Sequence, residues 1–147
     1  MTTVTSSKYF SEKELACSHC GVAAMDQGFL ASLDTLRELY GPLIVTSGYR
    51  CPEHPIEKAK SSGPGAHSTG RAVDLAISRG DAYRLLSYIF PKPKPLYRFI
   101  GGGVPDSTLV DYSEPKFTGI GINQKGNSRF IHLDNITDGV RPTIWSY

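Results

Sequence analysis

Apolar residues change their spacing several times along this chain, and each change marks an element. From Asp26 to Tyr40 the residues Phe29, Leu30, Leu33, Leu36, Arg37 and Tyr40 share one face at the helical period, and Gly41-Pro42 ends the run. This spacing predicts an amphipathic helix. Leu43-Ile44-Val45-Thr46, closed by Ser47-Gly48, predicts a short buried strand. Residues 51–66 are broken by prolines and glycines and read as a long loop. From Arg71 to Ile77 the period drops to that of a strand, with Val73, Leu75 and Ile77 alternating against Ala72, Asp74 and Ala76. Asp81 is placed to cap a second helix running to Phe90, and Pro91 stops it. Residues 91–95 alternate proline and lysine, a stiff extended connector, while residues 96–116 carry no clear period. Phe117–Ile122 and Arg129–Asp134 are two further strands, joined across Gln124-Lys125-Gly126-Asn127 as a hairpin. Ahead of all these, Ser11 and Glu14 stand at the capping-box offset before Leu15.

The order helix, strand, loop, strand, helix, strand, strand predicts an α+β fold: a small, mainly antiparallel sheet flanked by helices. Residues 8–147 are expected to form one domain behind a flexible lead-in at residues 1–7. At 147 residues the chain is long enough to bury a core unaided. A balance of 16 basic against 14 acidic residues leaves a charge of +2, too even to suggest a nucleic-acid partner. Tyr83, Tyr88, Phe90 and Tyr97 are accordingly read as core and rim and not as a base-stacking platform. Gly101-Gly102-Gly103 lacks a following Lys-Ser/Thr, so it is not a phosphate loop. The polar start carries no signal-peptide pattern and no stretch is apolar enough for a membrane span. The chain is therefore expected to be made in the cytoplasm, with no membrane partner, and to be a monomer.

Three polar residues stand out against this pattern. His67 opens His-Ser-Thr-Gly-Arg-Ala-Val-Asp, Asp74 closes it inside an apolar strand, and His132 lies within Phe-Ile-His-Leu-Asp. A buried carboxylate is costly unless neutralised. Two imidazoles and one carboxylate match a catalytic zinc set, three protein ligands with one position left open. The same residues also fit a structural carboxylate between two hydrogen-bonded histidines.

The wording around them weighs on that choice. Ser47-Gly48-Tyr49-Arg50, His67-x-x-Gly70-x-Ala72-x-Asp74, Phe117-x-Gly119-Ile120-Gly121 and Phe130-Ile131-His132-Leu133-Asp134 follow in order, and Arg141-Pro142-x-x-Trp145 closes the chain. Together with Phe10-Ser11 to Leu15-Ala16-Cys17, they resemble the zinc D-alanyl-D-alanine carboxypeptidase family, which includes phage cell-wall endopeptidases and D,D-dipeptidases. The resemblance implies a catalytic Zn2+ on the sheet face, held by His67, Asp74 and His132, with Arg50 pointing into the cleft to hold substrate or the developing oxyanion. It implies a peptidoglycan stem peptide as substrate, cut at D-Ala-D-Ala or at L-Ala-D-Glu. A phage lysin, released to the wall or carried on the virion, fits this reading. Several family branches place an acidic residue or a histidine just before the last metal histidine, but here Arg129 and Phe130 occupy those positions. Asp134 projects from the same strand face as His132, so it is expected either as the general base or as the group that orients His132. The absent base also keeps open a metal-stabilised binding domain of a phage particle, and a dipeptidase is a further alternative.

Cys17-x-x-Cys20 and Cys51-x-x-His54 make two pairs of equal spacing. Together they are a Cys3His set, as in closed structural zinc sites, with His19 able to replace His54. A Cys17–Cys51 or Cys20–Cys51 disulfide, or three free thiols, are the competing readings.

Overall fold

The computed structural model describes residues 2–90 and 116–147, and between them only the backbone of four short strands at 93–95, 99–100, 104–105 and 110–112. In chain order the strands are β1 Thr3–Val4, β2 Met25–Asp26, β3 Val45–Ser47, β4 Ala72–Ala76, β5 Pro93–Pro95, β6 Phe99–Ile100, β7 Val104–Pro105, β8 Val110–Tyr112, β9 Gly119–Asn123, β10 Phe130–Asp134 and β11 Thr143–Ser146. The helices are α1 Glu12–Leu15, α2 Gln27–Tyr40, α3 Pro55–Lys58 and α4 Arg79–Ile89, with a 3-10 turn at Ala66–Thr69.

The principal sheet has five strands in the order β11-β9-β10-β4-β3. Every neighbour pair is antiparallel except β11 with β9. The expected α+β fold with a mainly antiparallel sheet is what the chain forms. Alternation along the central strands divides the sheet into two faces. Val73, Leu75, Ile131 and Leu133 are fully buried in one cluster with Phe29, Leu30 and Leu33 of α2 and Ala82, Leu85 and Ile89 of α4. Asp74, His132 and Asp134 take the other face.

α2 follows the apolar period closely. Asp26 is its N-cap, accepting from the Phe29 amide at 2.7 Å, and it ends at Gly41. The capping box of α1 is also present, with Ser11 and Glu14 satisfying each other's backbone amides. α4 differs from expectation. It starts at Arg79 with Ser78 at the N-cap position, and Asp81 sits inside its first turn, where a carboxylate still complements the helix dipole. Gln124 from the β9–β10 connection accepts the Arg79 amide at 2.9 Å, so a tertiary contact sets the start of this helix.

Other elements were not foreseen. Thr3–Val4, within the expected lead-in, pair with Met25–Asp26. The loop 51–66 contains α3, which His54 caps through the Ile56 amide. β3 begins later than expected and is an edge strand, with Ile44 and Thr46 exposed. Tyr83 is 80% exposed, so it is no part of the core. β5 supports the extended reading of the proline-lysine stretch by pairing with β8. Tyr97 and Gly101-Gly102-Gly103 lie outside the described residues. Among the described residues no helix is long and apolar enough to cross a membrane.

Candidate metal centre

Register lines up the polar face. Trp145 of β11 pairs with Gly121 of β9, Gly121 with His132 of β10, His132 with Asp74 of β4, and Asp74 with Ser47 of β3. One row across five strands therefore carries Trp145, a glycine, His132, Asp74 and Ser47. His67 reaches the row from the 3-10 turn before β4. That turn ends at Gly70, whose φ of +73° is left-handed and whose missing Cβ leaves room for the Ala24–Met25 backbone. The glycines of β9 serve the same purpose on the sheet. A Cβ on Gly119 would collide with the Asp134 carboxylate, and one on Gly121 would lie 2.8 Å from the Trp145 indole.

His67, Asp74 and His132 meet at one point, all three at least nine-tenths buried. His67 Nε2 is 3.2 Å from His132 Nδ1, His132 Nδ1 is 2.9 Å from Asp74 Oδ1, and His67 Nε2 is 3.3 Å from Asp74 Oδ1. The outer contacts fix the tautomers. His67 Nδ1 lies 2.7 Å from the Gly48 carbonyl, which only accepts, so Nδ1 carries the proton and Nε2 presents a lone pair. His132 Nε2 lies 3.1 Å from Asp134 Oδ2 and donates to it, leaving a lone pair on Nδ1. Two imidazole lone pairs and a carboxylate oxygen thus converge, an arrangement that repels itself unless a cation sits between them. Tetrahedral bonds of about 2.0–2.1 Å place neighbouring donors roughly 3.3 Å apart, close to the three separations here. The donor set is compatible with zinc.

The surrounding charges hold these groups ready. Burial works against the charged form of Asp74, but the adjacent His132 and His67 rings, in their protonated form, hold its carboxyl well below the usual range. Burial alone would lower the His132 pKa, yet bonds to Asp134 and Asp74 raise it. Asp134 is likewise depressed against burial, by His132 and then by Arg141. Arg141 grips Asp134 with a two-pronged contact, Nε to Oδ1 at 3.3 Å and Nη2 to Oδ2 at 3.2 Å, and the Ile136 amide donates to Oδ1 at 3.2 Å. Arg50 is anchored on three sides. Nε donates to Ser47 Oγ at 3.0 Å, Nη1 to Glu57 at 3.4 Å and Nη2 to Asp74 Oδ2 at 3.1 Å. Arg50, His67, Asp74, His132, Asp134 and Arg141 line a cleft of about 400 Å³ together with Lys60, Trp145 and Tyr147. That size suits a small ligand or a peptide end.

A family profile described as Peptidase M15 matches residues 8–94. The chain belongs to the peptidase M15 family. Searches of curated proteins and of solved structures give no match. This M15 chain is therefore of a metallopeptidase family, the zinc D-alanyl-D-alanine carboxypeptidase type that its motifs resemble. The matched stretch holds Arg50, His67 and Asp74 and stops before His132, which β10 then brings against Asp74.

The structure also sorts the remaining expected residues of the M15 chain. Cys17, Cys20 and Cys51 come together, with their sulfur atoms within 4.8 Å of one another. Three thiols remain, with no disulfide among them. Burial would raise the Cys17 pKa, but the backbone amides of Cys51, Cys20 and His19 bring it down to about 7. Neither His19 nor His54 belongs to that group of three; His54 is committed elsewhere. Its Nδ1 accepts from the Ile56 amide at 3.2 Å and its Nε2 faces Ser18 Oγ at 3.1 Å. Arg141, the Gly48 carbonyl and Glu57 had no expected role. The first sits in a tail motif that hinted at it, whereas a backbone carbonyl leaves no mark in a sequence.

Proposed function

We propose that this chain is a zinc-dependent peptidase acting on peptidoglycan stem peptides. The observation that carries the reading is the convergence of three lone pairs, from His67, Asp74 and His132, on the floor of a cleft in an M15 chain. Zinc, when bound, supplies a Lewis acid that polarises the scissile carbonyl and makes water acidic.

The chain's own residues do the rest. Arg50 carries five N–H donors, and three go to Ser47, Glu57 and Asp74, so one on each terminal nitrogen is left for substrate. A guanidinium fixed in this way binds a carbonyl oxygen or a terminal carboxylate without reorganising as charge develops. Asp134 acts on His132. It is fully buried, engaged by Arg141, and bonded to the imidazole nitrogen away from the donor cluster, which suits an orienting group better than a proton acceptor. Trp145 packs its ring 5.2 Å from the His132 ring and walls that side of the cleft.

One observation favours a second reading, a metal-stabilised binding domain. Among the described residues the carboxylates lining the cleft are Asp74 and Asp134, and both are engaged. The deciding experiment incubates zinc-loaded protein with purified peptidoglycan, with and without a chelator, and measures released D-Ala and stem peptides. Chelator-sensitive release is expected. No release by fully loaded protein would favour the binding domain, and cleavage of free D-Ala-D-Ala with intact wall untouched would mark a dipeptidase.

A further inference from the structure

The three cysteines take no part in the chemistry proposed above, yet they are gathered in one place as well. Cys17 and Cys51 are buried and Cys20 is exposed at the surface of the same cluster. Their sulfurs lie within 4.8 Å of one another. Tetrahedral zinc thiolates, with bonds of about 2.3 Å, hold their sulfurs roughly 3.8 Å apart. A disulfide joins only two sulfurs, whereas here three share one place. The Cys51 amide donates to Cys17 Sγ at 3.3 Å, a contact suited to a sulfur carrying negative charge. The turn holding Cys17 and Cys20 is closed by Cys17 N to Val22 O and Gly21 N to Cys17 O, both 2.8 Å, so the two sulfurs are presented from one tight loop.

Beside the trio, on that loop and against Cys51, stands a histidine that turning its side chain would bring to the fourth position. His19 Nδ1 is 3.3 Å from Cys51 Sγ, near the roughly 3.5 Å expected for a nitrogen and a sulfur on one tetrahedral ion. His54, the other candidate, has its Nδ1 lone pair committed to the Ile56 amide. The geometry points to a closed Cys3His site of Cys17, Cys20, Cys51 and His19 that binds a thiophilic divalent cation, zinc foremost. Each thiol gives its proton to solvent as the ion binds.

Its place in the chain gives it a positioning role. Cys51 follows Arg50 directly, and the Arg50 amide donates to the His67 carbonyl at 3.2 Å. The Gly48 carbonyl orients His67, and the Tyr49 amide donates to the Leu15 carbonyl at 2.9 Å. A cation on the cysteines therefore holds the Cys51 end of the 48–51 segment that aims Arg50 and His67, and ties it to Cys17, two residues after the Leu15 that anchors Tyr49.

The test uses the full chain, purified reduced and loaded with zinc or with cobalt(II). Native mass spectrometry is expected to find two ions on the unaltered protein, and cobalt to show thiolate-to-metal charge transfer in the near ultraviolet. Cys20→Ser should abolish that band, while His132→Ala, which damages only the other cluster, should keep it. His54→Ala should keep the second ion, and His19→Ala should weaken it by more than about tenfold. A single ion on unaltered protein, no charge-transfer band, or a mass lower by two hydrogens from a disulfide would each overturn the proposal. Loss of the ion in His54→Ala with retention in His19→Ala would overturn the choice of fourth ligand.

Discussion

Glu57 shows how much a single side chain does here outside the donor cluster. Its carboxylate is fully buried and accepts from Gly65 N at 2.7 Å, from Lys60 at 2.9 and 3.0 Å and from Arg50 at 3.4 Å. Burial pushes its pKa up, but the Gly65 amide and Lys60 outweigh it and hold the group below its ordinary value. A carboxyl depressed on folding stabilises the native state above its unfolded pKa, about 4.3, and that stability is lost as pH falls through the folded value. Urea unfolding at a series of pH values should show this acid limb, and Glu57→Ala should flatten it while costing about 3–5 kcal/mol at neutral pH. Arg50→Lys should keep the zinc content and lower kcat by about a hundredfold or more, since an ammonium cannot reproduce the anchored fork. Asp134→Asn should loosen zinc by about 10–100-fold in a chelator competition; unchanged affinity would refute its orienting role.

At the level of elements, β9 decides the shape of the site. Its glycines face the polar side of the sheet, where Asp134 and Trp145 lie over them, while Ile120 between them joins the core. Gly119→Ala should displace the Asp134 carboxylate, lowering zinc affinity along with stability; a variant with unaltered affinity would show that β10 can shift to accommodate it. The elements that sequence reading found best are those whose pattern is self-contained. α2 carries its own cap, period and stop, and polar residues interrupt apolar runs in β4, at Asp74, and in β10, at His132 and Asp134. Asp74 and His132 stand out for the same reason, as polar residues in apolar strands, but it is the resemblance of the surrounding motifs that groups them with His67 as a ligand set. Elements defined by partners were not legible. β11 is a strand because it lies beside β9, the start of α4 depends on Gln124, and β1 exists only through Met25–Asp26. His54 has ligand spacing in the sequence but spends its lone pair on a helix start, a choice made only by the folded backbone.

Considered whole, the molecule draws its donor cluster from both halves of the chain, with β4 and β10 as the seam. Ion binding to the folded form alone stabilises by mass action, about 4.1 kcal/mol at a thousandfold excess over Kd. Stripping zinc from His67, Asp74 and His132 should therefore lower the Tm by several degrees, and restoring zinc should recover it; calorimetry on the same sample checks this. The two donor clusters also occupy separate stretches of sequence. Cys17 and Cys51 are 34 residues apart, His67 and His132 are 65 apart, and neither span overlaps the other. Each cluster closes a loop, and the entropy of closure rises with loop length, so the shorter clasp is the easier to fasten. During synthesis the cysteine set is complete once Cys51 has emerged, whereas the histidine cluster must wait for His132. With an ion on the cysteines, the amino-terminal third would be clasped, with Arg50 held beside it, before the strand that supplies His132 has left the ribosome.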